Sequence, residues 1–113
     1  MKNESPSRAL DCKQRAITPL RNSPADDSEF AALAKALGHP ARVRIVRILA
    51  AQDSCIAGDL QAEVGLAAST VSQHLRRLKD AGWVQGEIDG ARRCYCLTPG
   101  TRDRFQALIE DIL

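Results

Sequence analysis

Residues 69–84 read STVSQHLRRLKDAGWV, and this stretch decides the fold of the chain. Val71, Leu75 and Leu78 recur at positions i, i+4 and i+7, a spacing that predicts a helix with one narrow apolar face. Gly82 lies where that helix ends, before a strand. The opposite face carries hydroxyls, an amide and guanidinium groups, which hydrogen-bond to base edges and phosphates in nucleic-acid complexes. A helix of this kind suits a helix-turn-helix protein, whereas a solvated amphipathic helix is the alternative interpretation.

The sequence on either side predicts further helices. Apolar spacing indicates a helix that ends at Gly38, a second that starts at Pro40, and a third over residues 56–64 that ends at Gly65. The first of these has three candidate N-caps with short acceptor side chains: Asp26, Asp27 and Ser28. The third helix, the short turn after it and the helix of residues 69–81 together form a helix-turn-helix unit. A last amphipathic helix contains Phe105, Leu108, Ile109 and Ile112.

A β-hairpin follows the helix-turn-helix unit. Residues 84–88 alternate weakly and predict one strand, and residues 92–97 predict the return strand. Asp89-Gly90 between them is a strong hairpin signal because both residues accept positive φ. The expected fold class is mainly α with a small β-hairpin. It is a winged helix-turn-helix over residues 26–113, preceded by a flexible N-terminal tail of residues 1–25.

Three motifs, in this order, resemble the ArsR/SmtB family of winged-helix regulators. Residues 30–45 (FAALAKALGHPARVRI) resemble its leucine-rich helix, Pro-containing turn and Arg-x-Arg-Ile. Residues 69–78 (STVSQHLRRL) resemble its Ser-Thr-Val-Ser-x-His-Leu-x-x-Leu pattern, and residues 89–97 (DGARRCYCL) resemble its wing. The resemblance covers residues 28–113. It implies a homodimeric transcriptional repressor that an inducer releases from double-stranded operator DNA.

Length and composition agree with a small regulator. The chain has 113 residues, enough for one small domain, and only 4% are aromatic, so we expect an aliphatic core. A domain of this size buries a modest fraction of its surface, so a dimer interface would help to stabilise it. The candidate interface is formed by the first and last helices, with apolar residues that include Phe30, Leu33, Phe105 and Ile109.

Charge and hydropathy limit the partners and the compartment. The net charge of +2 excludes a polycation that coats nucleic acid indiscriminately, and basic residues instead cluster at 42–47, 76–79 and 92–93. No apolar run is long enough to span a membrane, and the first residues lack a signal-peptide core. We therefore expect a cytoplasmic protein without a membrane partner, in which the four cysteines are reduced thiols.

The predicted DNA contacts lie on the polar face of the helix and in the wing. Gln73 can make a paired contact to adenine, and an arginine can do the same to guanine. Ser69 and Thr70 can cap the helix and can reach a phosphate. His74 flanks the apolar stripe and has a second interpretation as a packed side chain, and solvation is the alternative for the wing arginines. The full predicted set is Ser69, Thr70, Ser72, Gln73, His74, Arg76, Arg77, Arg92 and Arg93.

The cysteines are candidate soft-ligand thiols, since thiolates select soft ions and trivalent metalloids. The resemblance implies metal or arsenical sensing, but residues 56–60 (IAGDL) stand where the best-known family site has Cys-x-Cys-Asp-Leu. No histidine follows His74, so the ligands of the family's second site are missing as well. The sequence therefore does not predict zinc, nickel or cobalt sensing at those sites. The candidates are Cys12, Cys55, Cys94 and Cys96.

Two cysteine arrangements stay open at this stage. Cys12 can fold from the tail onto Cys55, a use of tail cysteines that resembles some arsenic-sensing relatives. Alternatively, Cys94 and Cys96 act together, because residues i and i+2 on a strand face the same side. Tyr95 and Leu97 would then face the core and both thiols the solvent. A third interpretation is that most of these cysteines are incidental small residues.

The expected function is a repressor that a thiol-reactive inducer releases, and the expected inducer is As(III) or Sb(III) held by cysteine thiolates, with no cofactor required. The alternative is a redox or reactive-sulfur sensor that uses a reversible cysteine disulfide. An enzyme with a cysteine nucleophile would need a neighbouring base, and both histidines, His39 and His74, already lie in the motifs above. We therefore expect no enzyme. A winged helix that binds protein instead of DNA is the remaining alternative.

Overall fold

The computed structural model describes residues 16–20, 24–58 and 60–113. Most of the predicted tail, residues 1–25, lies outside these ranges, and so does Cys12. The described elements in chain order are α1 (Pro24–Ala36), α2 (Pro40–Ala50), α3 (Gln61–Val64), α4 (Ala68–Ala81), β1 (Val84–Glu87), β2 (Cys94–Leu97) and α5 (Thr101–Ile112). The predicted fold class, mainly α with a small hairpin in a winged helix-turn-helix arrangement, is confirmed.

The core lies under α4, whose predicted apolar face is confirmed. Val71, Leu75 and Leu78 are all buried, and Leu78 has no exposed surface. They pack in one cluster with Ile45 and Leu49 of α2. Burial of each such side chain stabilises the fold by about 1.5–3 kcal/mol relative to leaving it in water. This packing fixes which face of α4 remains available to a partner.

Helices α1 and α5 are joined by an aromatic cluster and by the ion pairs of Arg104 with Asp26 and Glu29. The indole Nε1 of Trp83 donates to the carbonyl of Leu33 at 2.9 Å, and its ring packs edge-on against Phe105. Phe105 in turn stacks on Phe30 with ring centroids 5.2 Å apart. Leu33, expected at an exposed interface, is instead buried in the core, in the same apolar cluster as Trp83.

Two predicted helix starts differ from the structure. Helix α1 begins at Pro24, so Asp26 and Asp27 lie in its first turn, where their negative charge favours the positive end of the helix. Helix α4 begins at Ala68 after Ala67, so the prediction that Ser69 and Thr70 cap it is wrong. Their hydroxyls lie within the first turn.

The predicted helix over residues 56–64 is wrong in its first half, since α3 spans only Gln61–Val64. Ile56 instead forms an antiparallel bridge with Tyr95, in which each backbone N–H donates to the other residue's carbonyl at 3.0 Å. The physical reason is that β2 would otherwise leave the polar groups of one edge without backbone partners. Residue 56 therefore extends the two-stranded wing on its inner side.

The hairpin is antiparallel, with Val84 opposite Leu97 and Glu87 opposite Cys94. Gly86 is required within it. Its φ is +110°, and a Cβ there would lie 2.1 Å from the carbonyl oxygen of Cys94. The wing is therefore built around a close approach of two backbones. Within the three described ranges, no helix is long and apolar enough to cross a lipid bilayer.

Candidate nucleic-acid interface and cysteine pair

The outer face of α4 brings most of the predicted contact residues together. The buried stripe of Val71, Leu75 and Leu78 turns the remaining positions of this helix toward solvent. Of the seven predicted residues on α4, four are exposed and three are half-buried: Ser69, Gln73, Arg76 and Arg77, then Thr70, Ser72 and His74. One surface of α4 thus presents hydroxyl, amide and guanidinium groups side by side.

Arg76 and Lys79 connect α4 to the wing. Nη1 of Arg76 pairs with the carboxylate of Asp89 in the hairpin turn, and Nζ of Lys79 donates to the carbonyl of Gly86 at 2.6 Å. The Arg76–Asp89 pair is about half exposed, so it contributes little to stability. The pair does hold the guanidinium of Arg76 against the wing.

A concave basic pocket of about 560 Å³ lies between α4 and the start of α2. It combines three guanidinium groups, an imidazole, an amide, a hydroxyl and one carboxylate: Arg42, Arg76, Arg77, His74, Gln73, Thr70 and Asp80. We call it the basic pocket. Sequence reasoning missed Arg42 as part of this surface. The available signal was its place in the basic cluster of residues 42–47.

His74 lies half-buried in the wall of the basic pocket. Its ring centroid lies 4.5 Å from that of His39, whose Nδ1 accepts a hydrogen bond from the Ala41 N–H and so caps α2. Burial lowers the pKa of His74, and the nearby positive charges of His39, Arg42 and Arg77 lower it further. The imidazole is therefore packed and also lines the pocket.

The wing places its two predicted residues in different surroundings. Arg92 and Arg93 are both exposed, just before β2. Arg93 lines a shallow cavity of about 80 Å³ together with Ser72 and Gly90. The structure therefore brings the wing arginine and a hydroxyl of α4 to one cleft.

The cysteines pair in a way that sequence reasoning missed. Cys55 and Cys96 form a disulfide, with Cα atoms 4.4 Å apart, next to the Ile56–Tyr95 bridge. Neither predicted pair, Cys12 with Cys55 or Cys94 with Cys96, matches it. Cys94 is exposed and forms no disulfide with any described residue. Sequence reasoning missed this bond because it placed residue 56 in a helix and did not recognise it as a strand partner. An Ile56–Tyr95 pair places residues 55 and 96 opposite each other.

The predicted outward orientation of both wing thiols is therefore wrong for Cys96, which is half-buried against the α2–α3 loop. Nε2 of Gln85 donates to its sulfur at 3.6 Å, and the hydroxyl of Tyr95 donates to the Gly58 carbonyl at 3.0 Å. A cavity of about 340 Å³ borders both bonded cysteines and includes Ser54 and Gln85 in its wall. Small molecules thus have access to this pair.

A metal centre is a poorer fit to these residues. Among residues 16–20, 24–58 and 60–113, no group of three His, Cys, Asp or Glu side chains lies close enough together to hold a metal ion. The Cys55–Cys96 pair offers redox chemistry, and after reduction it offers two thiols as ligands. The described part of the chain adds no third ligand.

Comparisons with known proteins agree with this geometry. Residues 39–85 match the model of the bacterial regulatory protein family arsR. The chain is 37% identical to the HTH-type transcriptional regulator YgaV of Escherichia coli over 96 residues, which cover 85% of this chain and 97% of YgaV. It is 38% identical over 74 residues to ArsR2 of Halobacterium salinarum, a protein named for the arsenical resistance operon, with 65% and 62% of the two chains covered.

The fold comparison points the same way. The crystal structure of Mycobacterium tuberculosis Rv0081 matches with a TM-score of 0.57 and 31% identity, covering 80% of this chain and 90% of that one. The family-model match, the near full-length match to YgaV and this structural match together identify the chain as a transcriptional regulator of the arsR family.

Proposed function

We propose that this protein is a homodimeric repressor that binds operator DNA when Cys55 and Cys96 are reduced thiols and leaves the DNA when they are joined. The observation that carries the proposal is the bond between these cysteines, which connects the loop before α3 to the wing strand β2. A DNA-binding protein works where cellular reductants keep thiols reduced, and disulfides in that setting are mostly transient or redox-sensing.

The outer face of α4 would enter the major groove, and the wing arginines would contact the backbone or the minor groove. Gln73 and the arginines supply the side-chain types that pair with adenine and guanine edges. The proposed contacts are those predicted from the sequence: Ser69, Thr70, Ser72, Gln73, His74, Arg76, Arg77, Arg92 and Arg93. Six of these nine residues are exposed, and Arg93 of the wing lines one cavity together with Ser72 of α4, which supports the proposal.

The proposed dimer uses α1 and α5. Phe30, Phe105 and Ile109 are only half-buried, and Ile112 is 47% exposed. A second copy would cover this apolar surface, as a domain of this size favours. The dimer would hold two α4 helices about one DNA turn apart, roughly 34 Å.

Oxidation would proceed by thiol–disulfide exchange with a low-molecular-weight disulfide. The thiolate of one cysteine attacks that disulfide, forms a mixed disulfide and expels one small thiol. The other cysteine then attacks its partner's sulfur, forms the Cys55–Cys96 bond and expels the second small thiol. The two electrons lost by the protein therefore reside in the two released thiols. The cavity of about 340 Å³ beside the pair gives the reagent access.

Release would follow from the position of the bond. Without it, Ile56 and Tyr95 hold the wing through two backbone hydrogen bonds, which permit small rotations on the DNA. With it, β2 is fixed covalently to the loop that precedes the helix-turn-helix unit. The wing arginines then keep one position relative to α4. An oxidant can shift the DNA equilibrium only if the two states differ in affinity for DNA, and this constraint is the proposed source of the difference.

The test is fluorescence anisotropy of the DNA upstream of the protein's own gene, with reduced protein and with protein treated with oxidised glutathione. We expect binding by the reduced protein and a weaker affinity after oxidation. Cys55→Ser and Cys96→Ser should each bind DNA and no longer respond to the oxidant. Cys94→Ser is the matched control, because Cys94 lies on the same strand and outside the bond; it should respond like wild type.

Equal affinity of oxidised and reduced wild-type protein would contradict the redox part of the proposal. No binding by the reduced protein even at low salt, where contacts to phosphates are strongest, would contradict operator binding itself. In that case a protein partner for the winged helix becomes the better proposal.

A second candidate inducer is As(III) or Sb(III). It is favoured by the juxtaposition of two soft thiols and by the similarity to ArsR2, whose name refers to arsenical resistance. Arsenite added to reduced protein on DNA distinguishes the candidates. Release that requires both Cys55 and Cys96 supports a bridging arsenical, whereas release by oxidised glutathione alone supports the disulfide switch.

A further inference from the structure

The Nε of Arg42 is a buried hydrogen-bond donor without a partner among the residues that the structure describes. Arg42 lies in the first turn of α2 and is half-buried, and its Nε is shielded from solvent. A buried donor attached to a charged group is costly to leave without an acceptor. The missing acceptor is therefore expected to come from a bound partner.

Arg42 is also part of the wall of the basic pocket, whose volume is about 560 Å³. Arg77 and His74 approach the same space from α4, together with the Thr70 hydroxyl. Asp80 is the acidic residue in this wall, and Arg76 is already paired with Asp89 in the wing. Burial lowers the pKa of His74, and the positive charges around the pocket lower it further. The pocket thus collects donors and positive charge around a concave space.

We propose that the basic pocket binds one phosphate group of the DNA backbone, with Arg42 as a phosphate-contacting residue outside the recognition helix. This inference rests on the proposed DNA-binding function and names the ligand group for a part of the surface that the function alone does not assign. A guanidinium presents a planar fork that matches two phosphate oxygens. The half-buried position of Arg42 suits a phosphate, which protrudes from the duplex, better than a base edge inside the groove.

The chemical consequence concerns orientation. Phosphate contacts fix the register of a protein on the duplex and carry no sequence information directly. A phosphate held between α2 and α4 would orient α4 in the groove, so that Gln73, which borders the same pocket, faces the base edges. Arg42 would then contribute equally to binding of operator and of unrelated duplex.

The test compares Arg42→Met with Arg44→Met. Arg44 lies on the same helix, is exposed and does not line the pocket, so it is the matched control. Reduced proteins are titrated onto operator and onto a scrambled duplex over a series of salt concentrations. We expect Arg42→Met to weaken both complexes by about 10- to 100-fold, the range for hydrogen bonds to charged groups. The slope of log K against log salt should fall by about 1. Arg44→Met should keep the wild-type slope.

Two further measurements separate the alternatives. Arg42→Lys, which keeps the charge and loses the fork, should retain the slope and bind more weakly than wild type; it carries the test if Arg42→Met fails to fold, as judged by circular dichroism. Thermal shift with inorganic phosphate tests a free anion as the occupant. If phosphate stabilises wild type but not Arg42→Met while both bind DNA equally, the pocket takes a free anion and the inference is overturned.

The remaining outcomes are equally decisive. If wild type binds DNA and Arg42→Met binds with the same affinity and the same salt slope, the phosphate assignment is overturned. The proposed function then stays intact. A loss confined to the operator duplex also overturns it, since that result indicates base reading. Wild-type protein that binds no duplex even at low salt overturns both this inference and the proposed DNA binding.

Discussion

The helix-turn-helix core and the wing of this protein share one apolar cluster but differ in the other interactions that hold them. In the core, Leu78 and Ile45 have no exposed surface and pack in one apolar cluster. In the wing, Val84, Ile88 and Tyr95 belong to the same apolar cluster, but the hairpin is also linked to its surroundings by one disulfide, the Ile56–Tyr95 backbone bridge and two exposed polar contacts from α4. Apolar packing does not respond to redox state and contains no charges for salt to screen, whereas a disulfide responds to reductants and exposed ion pairs are screened by salt. The comparison teaches that the chemistry that can regulate this molecule is concentrated at the wing.

The largest expected effect tests the core. Leu78→Ala should lower the free energy of unfolding by about 2–5 kcal/mol, because it removes buried methyl groups and leaves a cavity. Urea denaturation followed by circular dichroism measures the loss. Leu113→Ala is the control, since that side chain is 98% exposed and should change stability by less than about 0.5 kcal/mol. Similar losses of unfolding free energy in Leu78→Ala and Leu113→Ala would contradict the role of the apolar cluster in holding the core.

The second prediction separates the wing from the core. Gly86→Ala places a Cβ against the backbone of β2, whereas Gly90→Ala, with a similar positive φ of +91°, meets nothing within 4 Å. Both variants should carry the cost of a left-handed backbone, roughly 1–2 kcal/mol. Gly86→Ala should lose about 1–3 kcal/mol more, because overpacking forces the strands apart. Hydrogen exchange should show lost protection in residues 84–97 and retained protection in α4; equal behaviour of the two variants would argue against the close approach.

The fold was predictable where local spacing decides the structure and not where a distant residue does. Val71, Leu75 and Leu78 recur with the period of a helix, so α4 could be predicted from the sequence. Ile56 is apolar and precedes helical residues, and only its pairing with Tyr95 makes it extended. The Cys55–Cys96 bond follows from that pairing across 41 positions, so local spacing could not reveal it. The same limit applies to Arg42, which joins α4 only in three dimensions.

The third prediction concerns the contacts of Tyr95 and Cys96 in β2 with residues 55–58, which we call the joint between the two regions. Tyr95→Phe removes the hydroxyl that donates to the Gly58 carbonyl and leaves the buried ring in place. The expected loss is about 1 kcal/mol, the usual net weight of one hydrogen bond. Thermal unfolding of the reduced protein measures it, because the disulfide would mask a weakened joint. A loss as large as that of Leu78→Ala would show that the joint belongs to the core.

The smallest expected effect concerns the helix-turn-helix core, where His74 is a titratable group in the basic pocket. Its folded-state pKa lies below the ordinary 6.5, mainly through burial. The unfolded chain therefore takes up the proton first, and stability falls as pH decreases through 6.5 toward the folded pKa. The difference in unfolding free energy between wild type and His74→Gln isolates this contribution, because the carboxylates titrate in both. A difference that stays constant from about pH 8 to about pH 5 would contradict the lowered pKa.

Trp83 gives the molecule an optical probe of its own. The chain contains one tryptophan, and its indole is bonded to the α1 backbone and lies edge-on against a ring of α5. Any rearrangement of these two helices, such as association with a second copy, changes the surroundings of that single chromophore. Emission spectra and quenching of the unlabelled protein can therefore follow the helix pair in real time during titrations with DNA or oxidant. A dye would be unnecessary, and the native cysteines would remain untouched.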